Sequence, residues 1–318
     1  MNSVQCISFK EAHSKPKVTI GVCVRNCESS ITEAFNSILS QNYPLEKTEL
    51  IFVDDGSNDN TYAILCRLAS TAKMSVRIYR TTWGGIGRAR NIVLKNALGQ
   101  YVFWVDGDMI LSPDYLTKLV DLMDSNLDIG IAKGKQSLKP QGNSLAIIEN
   151  YARAGSRMID YRSKPNASKA LGTGGALYRV QMQKQVGLFD PALRGYGEDW
   201  DFELRARSEG WSLSALDVDF SDYERKGITW SSLWGRYWLR GYHTHHFLHK
   251  NKGLIKHAKM NPPVSFIAGL LQSRLLYKRT KQKIVFLLPF EYFFKTTAWY
   301  CGFIKSHTDK YEYKKIES

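Results

Sequence analysis

Residues Tyr101 to Asp108 read YVFWVDGD, five apolar or aromatic positions followed by two carboxylates that a glycine separates. A short continuous apolar run bounded by turn residues is the pattern of a strand buried on both faces. Apolar runs with polar ends occur twice upstream, in Val18–Val24 (VTIGVCV) before Arg25-Asn26 and in Leu50–Val53 (LIFV) before Asp54-Asp55, and Val76–Tyr79 (VRIY) is a further predicted strand. Amphipathic stretches separate these runs. Glu28–Ser40, Thr61–Ala72 and Gly87–Ala97 are predicted helices, another helix begins near Pro113, and Ile129–Ala132 is a predicted strand. Strand alternating with helix requires crossovers and parallel pairing, so the first 135 residues are predicted to form a mostly parallel α/β sheet flanked by helices.

After Gln136 the alternation breaks. Ser144–Asp160 is predicted as a helix, Ala170–Tyr178 (ALGTGGALY) as a strand with a glycine-rich approach, and Glu198–Ser208 as a helix opened by Gly195-Tyr196-Gly197. Beyond Thr229 the chain turns helical, aromatic and basic. The expected organisation is therefore an α/β domain over residues 17–228 and a helical appendage over residues 229–318.

An apolar fraction of 43% and a charged fraction of 23% over 318 residues exclude wholesale disorder. Five cysteines (Cys6, Cys23, Cys27, Cys66 and Cys301) with no CxxC pair support neither a disulfide framework nor a structural zinc site. Met1–Lys17 is polar and lacks an apolar core, so a reducing, cytoplasmic setting is expected. The net charge of +14 is unevenly placed: residues 226–318 hold 17 basic and 4 acidic side chains, against 27 and 26 in residues 1–225. A near-neutral body thus carries a strongly basic tail region, which calls for an anionic partner, a membrane surface or a nucleic acid.

Open parallel sheets bind ligands beyond the carboxyl ends of their strands. Asp54-Asp55-Gly56-Ser57 and Asp106-Gly107-Asp108 fall there, and Glu198-Asp199-Trp200-Asp201 follows a glycine-rich turn. Each alone has a bland explanation, since Asp-Gly is a common turn and acidic residues favour the first turn of a helix. In order, however, the segments run VTIGVCVRN, IFVDDGSND, WGGIGRARN, YVFWVDGD, GTGGALYR and GYGEDWDFELRARSEGW. This succession resembles the family-2 glycosyltransferases, inverting enzymes with the GT-A fold, from about Lys17 to Trp211.

The resemblance implies an activity and a set of roles. A nucleotide-sugar donor (UDP or GDP) would yield its sugar to an acceptor hydroxyl in polysaccharide, glycolipid or protein-glycan assembly. Asp106 and Asp108 match the DXD motif, with Asp108 on Mn²⁺ or Mg²⁺ and Asp106 on the ribose or the metal; Gly107 lies between them. Hard divalent cations take oxygen ligands and commonly sit between one or two carboxylates and substrate phosphates. Asp54 and Asp55 match the acidic pair used on the base, and Val24, Arg25 and Asn26 would form the base pocket. The commoner Pro-Thr-Tyr-Asn is here Val22-Cys23-Val24-Arg25-Asn26, which keeps only the Asn. Arg90 and Asn91 would stand near the donor. Asp199 matches the general base of the ED motif, Glu198 would orient it, Asp201 would support the helix, and Gly174, Gly175 and Trp200 would line the acceptor side. A carboxylate suffices as base because the acceptor proton leaves late.

In the appendage, Trp230–His249 holds four of the seven histidines, and His245, His246 and His249 are spaced to share a helix face. Arg236 and Arg240 are expected to offset charge on the departing diphosphate. Val264–Tyr277 and Ile284–Ile304 are apolar and aromatic, but Glu291, Lys295 and Pro289 interrupt the second run. Interfacial membrane contact on the cytoplasmic face is the expectation, with a spanning segment or a homodimer surface as its rivals. The rival function is a membrane- or nucleic-acid-binding protein built on the basic region with an inactive body.

Overall fold

The structure is a computed structural model that describes residues 4–9, 15–155, 159–164, 167, 169–222, 227–252 and 261–309. The chain forms two compact units. The first comprises residues 1–137, 156–194 and 199–224, and the second residues 138–155, 195–198 and 225–318.

The first unit holds a nine-stranded sheet. Its strands are β1 (Gln5–Phe9), β2 (Val18–Val24), β3 (Thr48–Asp55), β4 (Ser75–Thr81), β5 (Tyr101–Trp104), β6 (Met109–Leu111), β7 (Ile129–Gln136), β8 (Ala176–Arg179) and β9 (Ser212–Asp222). Their order across the sheet is β1-β4-β3-β2-β5-β8-β7-β9-β6. Strands β2, β3, β4, β5, β7 and β9 run one way, and β1, β6 and β8 run against them. The fold is thus the expected α/β sheet with a mixed far half.

Period-two alternation builds both faces of this sheet. Val18, Ile20, Val22, Leu50, Phe52, Tyr101 and Phe103 face one layer, packed by helices α1 (Ile31–Leu39), α2 (Thr61–Thr71) and α4 (Tyr115–Ser125). Ile51, Val53, Val102 and Trp104 face the other, packed by α3 (Ile86–Asn96), α6 (Val180–Val186) and α7 (Glu198–Ser208). Successive strand residues point to opposite faces, so strands buried on both sides read as continuous apolar runs.

Two predicted boundaries differ. The strand expected from Ala170 begins at Ala176, because Gly172 (φ +80) and Gly175 (φ +78) take left-handed backbone that no strand accommodates. The helix expected over Ser144–Asp160 is α5 (Ser144–Arg153), and residues 156–158 of that expectation lie outside the described residues. Strands β1, β6 and β9 and helix α6 have no counterpart in the prediction.

The second unit contains α5 and three long helices, α8 (Trp230–Lys250), α9 (Pro262–Thr280) and α10 (Leu288–Thr308). Helices α8 and α10 touch backbone to backbone: a Cβ on Gly241 would lie 1.9 Å from Trp299 O, and one on Gly302 1.9 Å from Trp238 O. Glu291 and Lys295 are buried here, Lys295 Nζ lying 2.8 Å from Glu149 Oε2 of α5 and 2.5 Å from Glu291 Oε1. Two buried carboxylates sharing one cation make the inward face of α10 a protein core. It also groups α5 with the C-terminal helices, whereas a boundary at residue 229 assigns it to the body. No helix of the described residues is long and apolar enough to cross a membrane.

Candidate active site

The acidic strand ends of the first unit converge as the topology requires. Asp54 and Asp55 end β3, and Asp106-Gly107-Asp108 form the turn between β5 and β6, closed by Met109 N donating to Asp106 O at 3.0 Å. Val24 ends β2 and lies under that turn, where a Cβ on Gly107 would come within 2.7 Å of Val24 Cγ1. Gly107 O accepts from Ser30 Oγ at 2.9 Å, which ties the turn to the start of α1.

Asp54 and Asp55 are buried and spend their oxygens on the protein itself. Asp54 Oδ1 accepts from Ser57 N at 3.0 Å, and its Oδ2 lies 3.5 Å from Arg80 Nε. Asp55 accepts from Gly84 N at 2.8 Å and Gly85 N at 2.9 Å, holding the entry to α3. Burial raises the Asp55 carboxyl, while the two amides, Arg25 and Arg88 pull it back. Asn26, in left-handed backbone (φ 52), stitches the neighbouring loop: its N donates to Ser57 Oγ at 3.0 Å and its Oδ1 accepts from Asn58 N at 2.9 Å. Asp54 and Asn26 thereby hold Ser57, Asn58 and Arg80, which with Arg25, Gly56 and Trp83 among others line an open cleft of about 510 Å³. Arg25 lies over the Trp83 ring at 5.2 Å. Asp54 therefore braces the cleft from behind, Asp55 holds the start of α3, and cations with an exposed indole line the cleft.

Arg90 and Asn91 are buried on α3. Arg90 sits over the Phe189 ring at 5.6 Å. The Asn91 amide is committed at both ends to the Phe189 backbone, donating to its O at 2.8 Å and accepting from its N at 2.9 Å. Asn91 braces the segment after α6. Between these groups, at the end of β2, burial pushes the Cys23 thiol up to about 12, with Arg90 lowering it and Asp55 and Asp106 raising it. A thiol so held is protonated at neutral pH, and the thiolate is the nucleophilic form.

The glycine loop before β8 passes between the two remaining acidic sites. A Cβ on Gly174 would lie 2.2 Å from Asp106 Oδ2, and one on Gly172 would lie 3.6 Å from Asp199 Oδ2. Asp199 stands in the first turn of α7, half-buried, its Oδ1 accepting from Trp200 N at 2.8 Å. Gly175 O accepts from Tyr115 OH at 2.8 Å, and the same hydroxyl accepts from Gly134 N at 2.8 Å. Asp201 pairs with Arg205 at 3.0 Å, and Arg205 also donates to Val186 O and Leu188 O, as its expected support of α7 requires.

Two residues absent from the predicted site shape this loop. Glu203, one turn beyond Asp199, accepts from Leu171 N at 2.7 Å and Gly172 N at 2.6 Å. Lys133 Nζ donates to the carbonyls of the same two residues. Burial pushes Glu203 up to about 8, Asp199 adds to the rise, and the two amides and Lys133 oppose it. A glutamate on the same helical face as Phe202 and Ala206 was the available signal.

In the second unit, Glu198 is buried at the first position of α7, and Arg236 and Arg240 lie one turn apart on α8, with Arg240 over the Tyr237 ring at 5.0 Å. His245 packs edge to face on His249 at 4.1 Å between centroids, and burial lowers His245 to about 4. No group of three or more His, Cys, Asp or Glu suited to a metal ion occurs among the described residues. Asp106 and Asp108 nevertheless fit a hard divalent ion of the kind that keeps waters and binds substrate phosphate. Such an ion needs one or two protein carboxylates, and both are half-buried on one tight turn with the side-chain-free Gly174 against Asp106.

The family model for glycosyl transferase family 2 matches residues 19–185, just over half of the chain. The match spans both strand-end acidic pairs and the glycine loop and stops short of Asp199. The poly(ribitol-phosphate) beta-N-acetylglucosaminyltransferase TarS of Staphylococcus aureus (strain Mu50) is 33% identical over 205 residues, 63% of this chain and 34% of TarS. This chain thus spans about a third of the length of that relative. Among solved structures, the mannosyltransferase PcManGT from Pyrobaculum calidifontis, in complex with GDP-Man and Mn²⁺, aligns with a TM-score of 0.63 at 17% identity, covering 94% of this chain and 89% of that one. S. aureus TarS aligns with a TM-score of 0.52 at 19% identity, covering 85% and 54%. At these identities the structures report a shared fold.

Proposed function

The chain belongs to glycosyl transferase family 2, and from that premise we propose that it moves a sugar from a UDP- or GDP-linked donor to an acceptor hydroxyl with inversion. The observation that carries this reading is the glycine loop that has Asp106 against Gly174 and Asp199 against Gly172. A donor-side carboxylate and a candidate base thereby each face a glycine of one short loop, with buried Thr173 between the two glycines, as a displacement with attacker and leaving group on opposite sides of a carbon demands. A named relative transfers N-acetylglucosamine, and a solved neighbour holds GDP-Man with Mn²⁺; both donor classes fit the reading.

In this scheme the cleft at Arg25, Arg80 and Trp83 takes the base and ribose, with Asn26 and Asp54 bracing its lining residues and Val24 and Asp55 at the neighbouring strand ends. Asp106 and Asp108, across Gly107, would hold Mn²⁺ or Mg²⁺, which when bound offsets the diphosphate charge. Arg90 contributes positive charge at the strand ends, and Asn91 acts through the Phe189 segment. Arg236 and Arg240 remain the candidates for the departing diphosphate. Asp199 takes the acceptor hydroxyl proton as the new bond from acceptor oxygen to anomeric carbon forms and the bond to the phosphate oxygen breaks. Glu198 orients Asp199, and Gly174, Gly175 and Trp200 border the acceptor. We assign the acceptor to a glycan or lipid-linked class and the protein to the cytoplasmic membrane face.

The test is release of UDP and of GDP from a panel of nucleotide sugars with Mn²⁺, Mg²⁺ or EDTA. Metal-dependent release from one donor class supports the reading. Absence of release from every donor, with the nucleotides failing to bind, overturns it.

A further inference from the structure

Helices α9 and α10 turn apolar side chains to solvent at helical spacing. On α9, Val264, Ile267, Leu271 and Leu275 recur every three or four residues and are between 44% and 59% exposed. The packing face of α9 is the opposite one, where Ser265, Gly269 and Ser273 are buried. Ser273 Oγ donates to Val285 O at 2.7 Å, and a Cβ on Gly269 would lie 2.6 Å from the Pro289 backbone. Helix α10 repeats the division: Glu291, Lys295 and Trp299 face inward, while Phe290, Phe293 and Ile304 are exposed.

The turn joining the helices adds charge to this surface. Phe286 and Leu287 are each 48% exposed, and Lys278, Arg279, Lys281 and Lys283 beside them are all exposed. No Asp or Glu occurs anywhere from Pro262 to Phe290. Contiguous exposed apolar surface of this kind marks an interaction site. A second copy meeting it about a two-fold axis would bring the same cations to the contact with no carboxylate of this segment to meet them. An anionic lipid surface supplies negative charge and an apolar layer together.

We propose that the α9–α10 hairpin docks on an anionic bilayer, its basic turn on the phosphates and Phe286, Leu287 and Phe290 in the headgroup–acyl boundary. The protein then lies on the membrane rather than through it, which agrees with the buried Glu291–Lys295 pair on the inward side of α10. The inference deepens the membrane part of the reading above and uses no residue of the transfer site.

The experiment is flotation of the full chain with phosphatidylcholine vesicles and with equimolar phosphatidylcholine–phosphatidylglycerol vesicles, in a salt series. Binding to the anionic vesicles alone is expected. The Lys281→Glu/Lys283→Glu pair should lower the bound fraction by roughly tenfold or more. The Leu271→Ser/Phe290→Ser pair should remove the part that resists salt. All four positions are surface ones, and circular dichroism of each variant reports the fold. Donor turnover without vesicles is read separately and should not change. Failure to float on anionic vesicles, or flotation that neither pair weakens, overturns the proposal. A dimer that Leu271→Ser/Phe290→Ser dissociates, without vesicle binding, assigns the surface to a second copy instead.

Discussion

Lys133 and Glu203 hold the backbone of the same two residues, Leu171 and Gly172. Glu203 takes the amides of Leu171 and Gly172, and Lys133 takes their carbonyls at 3.0 and 3.3 Å. A loop without sheet partners is thereby given its hydrogen bonds by side chains, beside the Asp199 carboxylate. Glu203→Ala should cost about 1–3 kcal/mol for each amide left unsatisfied. It should also lower kcat more than it raises the donor KM. Thermal melting and steady-state kinetics check both; an unchanged melt would mean the loop does not depend on this grip.

The same glutamate predicts a pH effect. Its folded value, about 8, lies above that of an unfolded glutamate, so folding takes up a proton. The stability this contributes is full below about pH 4.3, the unfolded value, and is lost as pH rises through about 8. Glu203→Gln cannot ionise, so its melting temperature should gain on that of the native protein between pH 5 and pH 9. A difference that stays constant across this range would show that Glu203 does not titrate there.

Asp199→Asn should separate chemistry from binding. Removing general-base assistance lowers transfer by about 10²–10⁴-fold, while donor affinity and metal affinity hold. Isothermal titration with the nucleotide beside single-turnover rates measures the two. A parallel fall in both would make Asp199 a binding or structural residue.

On the donor side, Asp108→Ala should abolish metal-dependent donor cleavage with the melt unchanged. Gly174→Ala should act similarly by another route, because its Cβ would stand 2.2 Å from Asp106 Oδ2 and the carboxylate must move. Retention of near-native, EDTA-sensitive turnover in Asp108→Ala would remove that residue from the metal site.

In the helical unit, Lys295→Met would leave Glu149 and Glu291 buried together without their cation. Burial already raises Glu291 well above the ordinary carboxylate range, Lys295 pulls it back and Glu149 adds to the rise. Breaking such a pair costs about 3–5 kcal/mol. Adding Glu149→Gln and Glu291→Gln should recover much of that loss in urea unfolding, and no recovery would assign the lysine a packing role instead.

Apolar period and turn residues suffice to read the α/β body, the order of its acidic strand ends and the span Glu198–Ser208 of α7, which the structure reproduces residue for residue. These are local matters: apolar period and turn chemistry report on neighbours within a few positions. That Asp54 pairs with Arg80 and Asp55 holds Gly84 and Gly85 became visible in the folded chain, since these partners lie 26 to 30 residues away. Tertiary structure likewise decided that Asn91 braces Phe189, that Glu203 and Lys133 share one loop, and that Lys295 seeks Glu149 across 146 positions. Strands β1, β6 and β9 were not predicted, and each pairs with a strand remote in sequence. Which polar groups satisfy one another depends on chain crossings that no local pattern encodes, and burial makes that choice obligatory, because an unpartnered polar group in the interior is costly.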